Sequence, residues 1–318
     1  MAVDKPVIMT QLDGGLGNQM FQYAIGKSLS LQCGVPLYLD TSVYSHYTTR
    51  KYALGVFNIS AQIASNEDII LFKPAAKKNP LGIIKNLADK TPTHVVLLVK
   101  GIMPRGMMTK LLRPPPADSK YFYHEAEPFV FDEDVLRAKP PLYLDGYWQN
   151  EKYFVRDRDI ILRDFTLRVP ISEKAIAYRK IIQETPSVSL HIRRGDYVHV
   201  AAARKLYDGI CDLEYYGRAL DFLKQKIQDI SVFVFSDEIA WAKANLHQER
   251  AIYVEGCADF EEMYLMSCCR HNIIANSSFS WWGAWLNAAT EKIVITPHRW
   301  HRTGDDNHTP IPASWMRV

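Results

Sequence analysis

The chain has 318 residues, 47% of them hydrophobic and 23% charged, a balance that excludes a disordered or fibrous protein and suits two domains of ordinary size. Its 38 Lys and Arg against 35 Asp and Glu leave a formal charge of +3, too little to draw a nucleic acid by charge alone. The five cysteines are odd in number and include no Cys-x-x-Cys pair, so they read as reduced packing residues and not as zinc or redox ligands.

The longest apolar run in the middle of the chain, Val95 to Val99, is far short of the roughly 20 residues that span a bilayer. The first residues show no basic stretch followed by a long apolar one and a cleavage site, so the expected location is the cytoplasm, with at most peripheral membrane contact.

The chain opens with VIMTQL (7–12), the glycine turn DGGLGNQ, a helical stretch MFQYAIGKSLSLQ (20–32) ended by Gly34, and VPLYLD (35–40). Strand, glycine turn, helix and strand make a βαβ unit and start a parallel sheet. The turn Gly15-Leu16-Gly17-Asn18-Gln19-Met20 nearly spells a dinucleotide fingerprint, in which Gly15 and Gly17 would let backbone amides approach a phosphate. Asp40 ends the next strand, where dinucleotide enzymes hold a ribose, but Met20 replaces the third glycine. A nicotinamide-dependent oxidoreductase therefore stands as an alternative, beside a tight turn with no ligand at all.

From residue 73 to 120, Pro74, Pro80, Pro92, Pro104 and Pro114–Pro116 interrupt every candidate element, which predicts short helices and loops. Within it, KGIMPRGMMTKLLR (100–113) reads either as a solvated loop or as a surface for a membrane or lipid-linked acceptor. Regularity returns with the strand in PLYLDGYWQ (141–149), helical segments through about residue 183, and the strand SVSLHI (187–192).

In 212–229, Leu213, Tyr216, Leu220, Leu223 and Ile227 form the stripe of an amphipathic helix. Strands SVFVFS (231–236), AIYV (251–254), HNIIAN (271–276) and KIVIT (292–296) follow, with a helix from Asp259 whose pair with Glu262 reads as a capping box. The alternation predicts a second doubly wound domain and a division into 1–165 and 166–318, with the extreme C-terminus packing back on the first.

Chemistry concentrates where strands end. His191-Ile192-Arg193-Arg194-Gly195-Asp196 follows the strand that opens the second domain, and two adjacent guanidiniums suit a diphosphate, whose oxygens an Arg fork grips bidentately. The plainer reading pairs one Arg with Asp196 and leaves the other to solvent. Asn276-Ser277-Ser278-Phe279 opens a helix with hydroxyls and free amides, an anion cradle backed by Trp281, Trp282 and Trp285, or an ordinary cap over a Trp-rich core. After a third strand, Asp237 offers a carboxylate to a ribose or a guanine amine, or to the next helix as a cap.

GGLGNQMFQYAIGKSL, HIRRGDYV, VFSDE and ANSSFSWWGAWLN, in that order, resemble the glycosyltransferase family 11 α-1,2-fucosyltransferases, and only about 73–140 lies outside their reach. The resemblance implies the α/β GT-B fold, two Rossmann-like doubly wound domains facing a cleft, with GDP-β-L-fucose held mainly by the second. It also implies inverting transfer to the 2-hydroxyl of a terminal β-galactose, in an oligosaccharide or lipid-linked glycan.

In that scheme Arg193 contacts the β-phosphate of the leaving group, and Arg194 serves either the donor or a neighbouring carboxylate. His191 contacts the donor or is a satisfied buried histidine. Asn18 faces the reacting sugar. Asp196 is the nearest carboxylate to act as base, although Val200 to Ala203 lacks the Glu that related enzymes carry after the motif. No metal or cofactor is expected, since Asp132-Glu-Asp134 and Asp157-Arg-Asp159 lie in loop-like surroundings. A non-catalytic nucleotide-sugar or glycan-binding module is the remaining alternative.

Overall fold

The computed structural model describes residues 6–45, 50–72, 121–302 and 308–318, so the expectations for 73–120, including the basic apolar segment, lie outside the described residues. The first half runs β1 (Ile8–Gln11), α1 (Leu16–Cys33), β2 (Leu37–Asp40), β3 (Gln62–Ile63), α2 (Asn66–Phe72), β4 (Phe122–His124) and β5 (Leu142–Asp145). Its strands form one parallel sheet in the order β3-β2-β1-β5-β4, with the order of connection switching sides between β1 and β5. Every residue of β1 and β5 is buried, as in sheets covered on both faces. Helix α1 starts four residues before its predicted place and stops where Gly34, at φ 66°, turns left-handed and returns its N–H to the carbonyls of Leu31 and Ser30.

The second half contributes α3 (Arg158–Asp164), α4 (Glu173–Glu184), β6 (Ser187–Ile192), α5 (Gly195–His199), α6 (Ala201–Tyr207), α7 (Leu213–Lys224) and β7 (Ser231–Ser236). It continues with α8 (Ile239–Asn245), β8 (Ala251–Tyr253), α9 (Asp259–Cys268), β9 (His271–Ile273), α10 (Ser278–Leu286), β10 (Val294–Thr296) and β11 (Met316–Arg317). The sheet order β11-β10-β9-β6-β7-β8, counted from β6, is 3-2-1-4-5-6, the doubly wound order whose switch point lies between β6 and β9.

Two details of the sequence reading change. Leu213 is 42% exposed, Tyr215 takes a buried place in α7, and Ile227 lies beyond the helix end. Helix α9 does begin at Asp259, but its capping carboxylate is Glu261: Oε2 accepts the Ala258 N–H at 2.8 Å and Oε1 the Ser172 N–H at 2.5 Å. Glu262 is thereby free for other work.

The halves share a core. The Phe21 ring on α1 lies 4.5 Å from Trp281 and 4.9 Å from Trp282 on α10, and Phe154 stacks on Trp282 at 5.5 Å. All three Trp of α10 are at most 1% exposed, and truncating one such ring costs about 3–5 kcal/mol. At the end of the chain, β11 extends the second sheet while Trp315 packs 5.4 Å from Trp281, in the cluster that holds the first sheet.

Candidate active site

Both sheets end on one cavity of about 670 Å³, lined by residues that follow β1, β5, β6, β7 and β9. Gly15, Gly17, Asn18, His191, Arg193, Asp196, Asp237, Asn276, Ser277, Ser278 and Phe279 all take part in its wall. Arg194 does not. Its guanidinium lies 3.8 Å from the Trp241 ring centroid and its Nε 3.0 Å from Glu238, so it anchors the loop, while its neighbour Arg193 faces the cavity.

Arg193 is held at 2.5 Å by Asp196 and at 3.0 Å by Asp237. Burial works against its charge, but these two carboxylates outweigh that and keep its pKa above the ordinary value. Asp237 also accepts the Arg194 N–H at 2.9 Å, and a Cβ on Gly195 would fall 2.5 Å from its Oδ2. Asp237 thus fixes the loop that presents Arg193 and does not cap the next helix, whose cap position is Glu238. Asp196 is likewise committed, to Arg193 and, at 3.8 Å, to Arg50.

His191 is 4% exposed, and its Nδ1 has no hydrogen-bond partner among the described residues. Burial, then the charge of Arg193, pushes its pKa down to about 3, so the ring is a neutral polar group at the cavity. Such an orphaned atom suits a ligand that supplies the missing partner.

Helix α10 aims its amino end at the same space. Ser277 caps it by accepting the Phe279 N–H at 3.3 Å. At the other end Lys292 Nζ donates to the carbonyls of Ala284 and Asn287 at 2.8 and 2.6 Å, and Arg158 to that of Trp285 at 2.9 Å. Cations at the carboxyl end and none of the first-turn residues acidic leave the helix dipole uncompensated only towards the cavity.

Asn18 bridges the halves: its Oδ1 accepts from Ser278 Oγ at 2.7 Å and from Gln149 Nε2 at 2.9 Å. Gly17 is glycine for a different reason than phosphate approach, since its carbonyl takes the Trp282 indole N–H at 3.0 Å and its Cα abuts the start of α10. Asn276 is a hub of the wall, its Nδ2 donating to the Trp300 carbonyl at 3.1 Å and its own carbonyl accepting the Tyr197 hydroxyl at 2.9 Å.

Other carboxylates singled out in the sequence have local partners. Asp40 is fully buried, accepting the Tyr143 hydroxyl at 2.5 Å and the Ser42 N–H at 2.9 Å, and does not line the cavity, so no ribose is held there. Asp132 serves Tyr123 and the Asp134 N–H, and Asp157 serves Ser28 and Arg156. Among the described residues no group of three or more His, Cys, Asp or Glu is placed to hold a metal.

Sequence reasoning missed three features. Glu262 lines the cavity with its pKa pushed up to about 8 by burial, then by Asp259 and Asp237. Arg50 reaches the cavity from a loop with no motif. A further stretch of wall joins both halves, Phe129 at φ 67° stacking on His301 at 5.4 Å and Glu127 facing His308 at 3.6 Å. A bulky residue in the left-handed region is strained, and such strain gathers at functional sites.

Two doubly wound parallel sheets that face one another across a cavity, with an Arg-bearing loop and a helix amino end in its wall, make the GT-B arrangement of glycosyltransferases. The chain belongs to glycosyltransferase family 11, whose model matches residues 7–306. It is 31% identical over 321 residues to an α-1,2-colitosyltransferase of Escherichia coli, covering 98% of this chain and 99% of that one. It is 29% identical over 177 residues to galactoside α-(1,2)-fucosyltransferase 2 of Sus scrofa, about half of each chain, 51% and 51%. Among solved structures, NodZ α-1,6-fucosyltransferase soaked with GDP-fucose overlaps 89% of this chain and 93% of its own, at a TM-score of 0.47 and 15% identity. That overlap is too loose to carry residue roles.

Among the described residues, no helix is long and apolar enough to cross a membrane.

Proposed function

We propose that the protein transfers L-fucose from GDP-β-L-fucose to the 2-hydroxyl of a terminal β-galactose, with inversion, to form an α-1,2 linkage. The observation that carries this reading is the convergence of Arg193 and the amino end of α10 on one cavity shared by both halves. As the bond to the sugar breaks, negative charge grows on the departing diphosphate. Fixed positive groups aimed there act in the transition state more than in the ground state. Arg193 supplies a guanidinium, Ser277 and Ser278 the helix start, and neutral His191 a hydrogen bond to the donor. Asn18, tied to Ser278 and Gln149, holds the first half against the second where the sugars meet. Asp196 keeps Arg193 in place and is not a free base. Cations of the chain neutralise the leaving group, so no metal enters the scheme, and cytoplasmic action on a glycan or lipid-linked acceptor belongs to the same proposal.

A second reading concerns the donor alone. The Escherichia coli relative is a colitosyltransferase, and colitose is fucose without its 3-hydroxyl. The test is to incubate the protein with GDP-fucose or GDP-colitose and a panel of β-galactosides, with and without EDTA, and to follow GDP release and product mass. Fucosyl products undiminished by EDTA support the proposal. Turnover of GDP-colitose alone moves the second reading ahead, and binding of GDP-fucose without any turnover favours a binding module.

A further inference from the structure

Arg50 comes from the first half, in the loop before the buried Leu54, and reaches the wall of the main cavity. Its Nη2 lies 3.8 Å from Asp196 Oδ2, while the other oxygen of that carboxylate lies 2.5 Å from Arg193 Nη2. One anionic group is thus shared by two guanidiniums that belong to opposite halves. The Arg50 guanidinium carbon also lies 3.8 Å from where a Cβ on Gly15 would sit, at the amino end of α1.

That placement sets a cation beside a helix amino end. The amino end of an 18-residue helix is positive, α1 has no acidic residue in its first turn, and Gly15 offers no side-chain cap. A guanidinium beside it adds like charge to like, unless an anion lies between them. Among the described residues that line the cavity, Arg50 and Arg193 are the only ones with a permanent positive charge, beside three Asp and two Glu. The orphaned Nδ1 of His191, a side chain 4% exposed in the same wall, marks the region independently as one built for a ligand.

We propose that Arg50 is a second ligand of the donor diphosphate, reaching it from the first half while Arg193 reaches it from the second. Asp196 braces both guanidiniums from one side, and the diphosphate takes the side that faces the cavity. The inference rests on the reading of this cavity as a GDP-sugar site.

Calorimetric titration of the full chain with GDP and with guanosine tests it, on wild type, Arg50→Ala and Arg50→Lys. The expected result is a loss of at least about tenfold in GDP affinity for Arg50→Ala, partial retention for Arg50→Lys, and guanosine affinity unchanged in both, as follows from losing one charge-assisted contact to phosphate. If Arg50→Ala binds GDP as wild type does, or loses guanosine in equal measure, the assignment of Arg50 is overturned while the donor site stands. If wild-type protein binds neither GDP nor guanosine, the reading of the cavity itself falls.

Discussion

Gly17 of α1 and Ser278 of α10 meet backbone to backbone: a Cβ at position 17 would fall 2.6 Å from the Ser278 carbonyl carbon and 2.7 Å from the Phe279 nitrogen. Neither atom can swing away as a flexible side chain would, and the contact lies where α10 starts at the cavity. Gly17→Ala should therefore cost about 1–3 kcal/mol and displace the amino end of α10, as overpacking a rigid contact does. The melting temperature and the rate of GDP release should both fall. Gly217→Ala is the control, because nothing lies within 4 Å of its Cβ position in the middle of α7. There alanine should stabilise by about 1 kcal/mol, the difference in helix propensity.

The link between Asn18 and Ser278 should be measurable as a coupling between the halves. Asn18 Oδ1 takes the Ser278 hydroxyl at 2.7 Å, and the two residues are 260 positions apart in the chain. A double-mutant cycle of Asn18→Ala and Ser278→Ala should return an interaction energy of about 0.5–1.5 kcal/mol in unfolding, the net worth of one such hydrogen bond. In turnover, Asn18→Ala should lower kcat more than it raises the donor KM, since it also frees Gln149. Additive effects in unfolding would show that the halves are joined by packing alone.

The two arginines of the motif should behave differently. Arg193 lines the cavity and Arg194 is turned against Trp241 and Glu238. Arg193→Ala should lower kcat by about 10²–10³-fold, the loss seen when a fixed group that stabilises developing charge is removed. Arg194→Ala should change kcat less than tenfold and act mainly through loop stability, since the half-buried Glu238 left behind still has His199 at 2.6 Å. Steady-state kinetics on the two variants, with circular dichroism to confirm folding, distinguish these outcomes.

Much of this architecture is legible in the sequence because it rests on short-range signals. Strands 187–192 and 231–236 have the boundaries that their apolar runs predict, and the glycine turn, the Arg loop and the Ser-Phe-Ser-Trp-Trp segment all follow strand ends. What the sequence conceals depends on a single residue of register or on distant chain. Asp259, Glu261 and Glu262 are all acidic, and a shift of one position in the start of α9 decides which one caps and which one faces the cavity. Arg193 and Arg194 diverge because the loop between β6 and α5 is irregular, with Arg194 at φ −129° and ψ −69°. Arg50 carries no local pattern, and among the described residues its ion-pair partner comes from the second half. Gly17 looks like a phosphate turn until α10, some 260 residues later, is seen to rest on it.

Glu262 gives the protein a pH dependence of defined sign. Its folded pKa, pushed up to about 8 by burial and by Asp259 and Asp237, stands above the ordinary 4.5. Between those values the unfolded chain releases a proton that the folded chain keeps, so rising pH favours unfolding across that window, and the effect levels off once both forms are ionised. Other groups titrate in the same range, so the measurable quantity is a difference. Glu262→Gln keeps the shape and removes the proton, and its melting temperature relative to wild type should rise steadily from pH 5 to pH 8. GDP binding should follow the same course, weakening in wild type as Glu262 gains charge beside the diphosphate and holding steady in the variant. A difference that stays flat with pH would mean that Glu262 is ionised throughout and that solvent reaches it at the cavity wall.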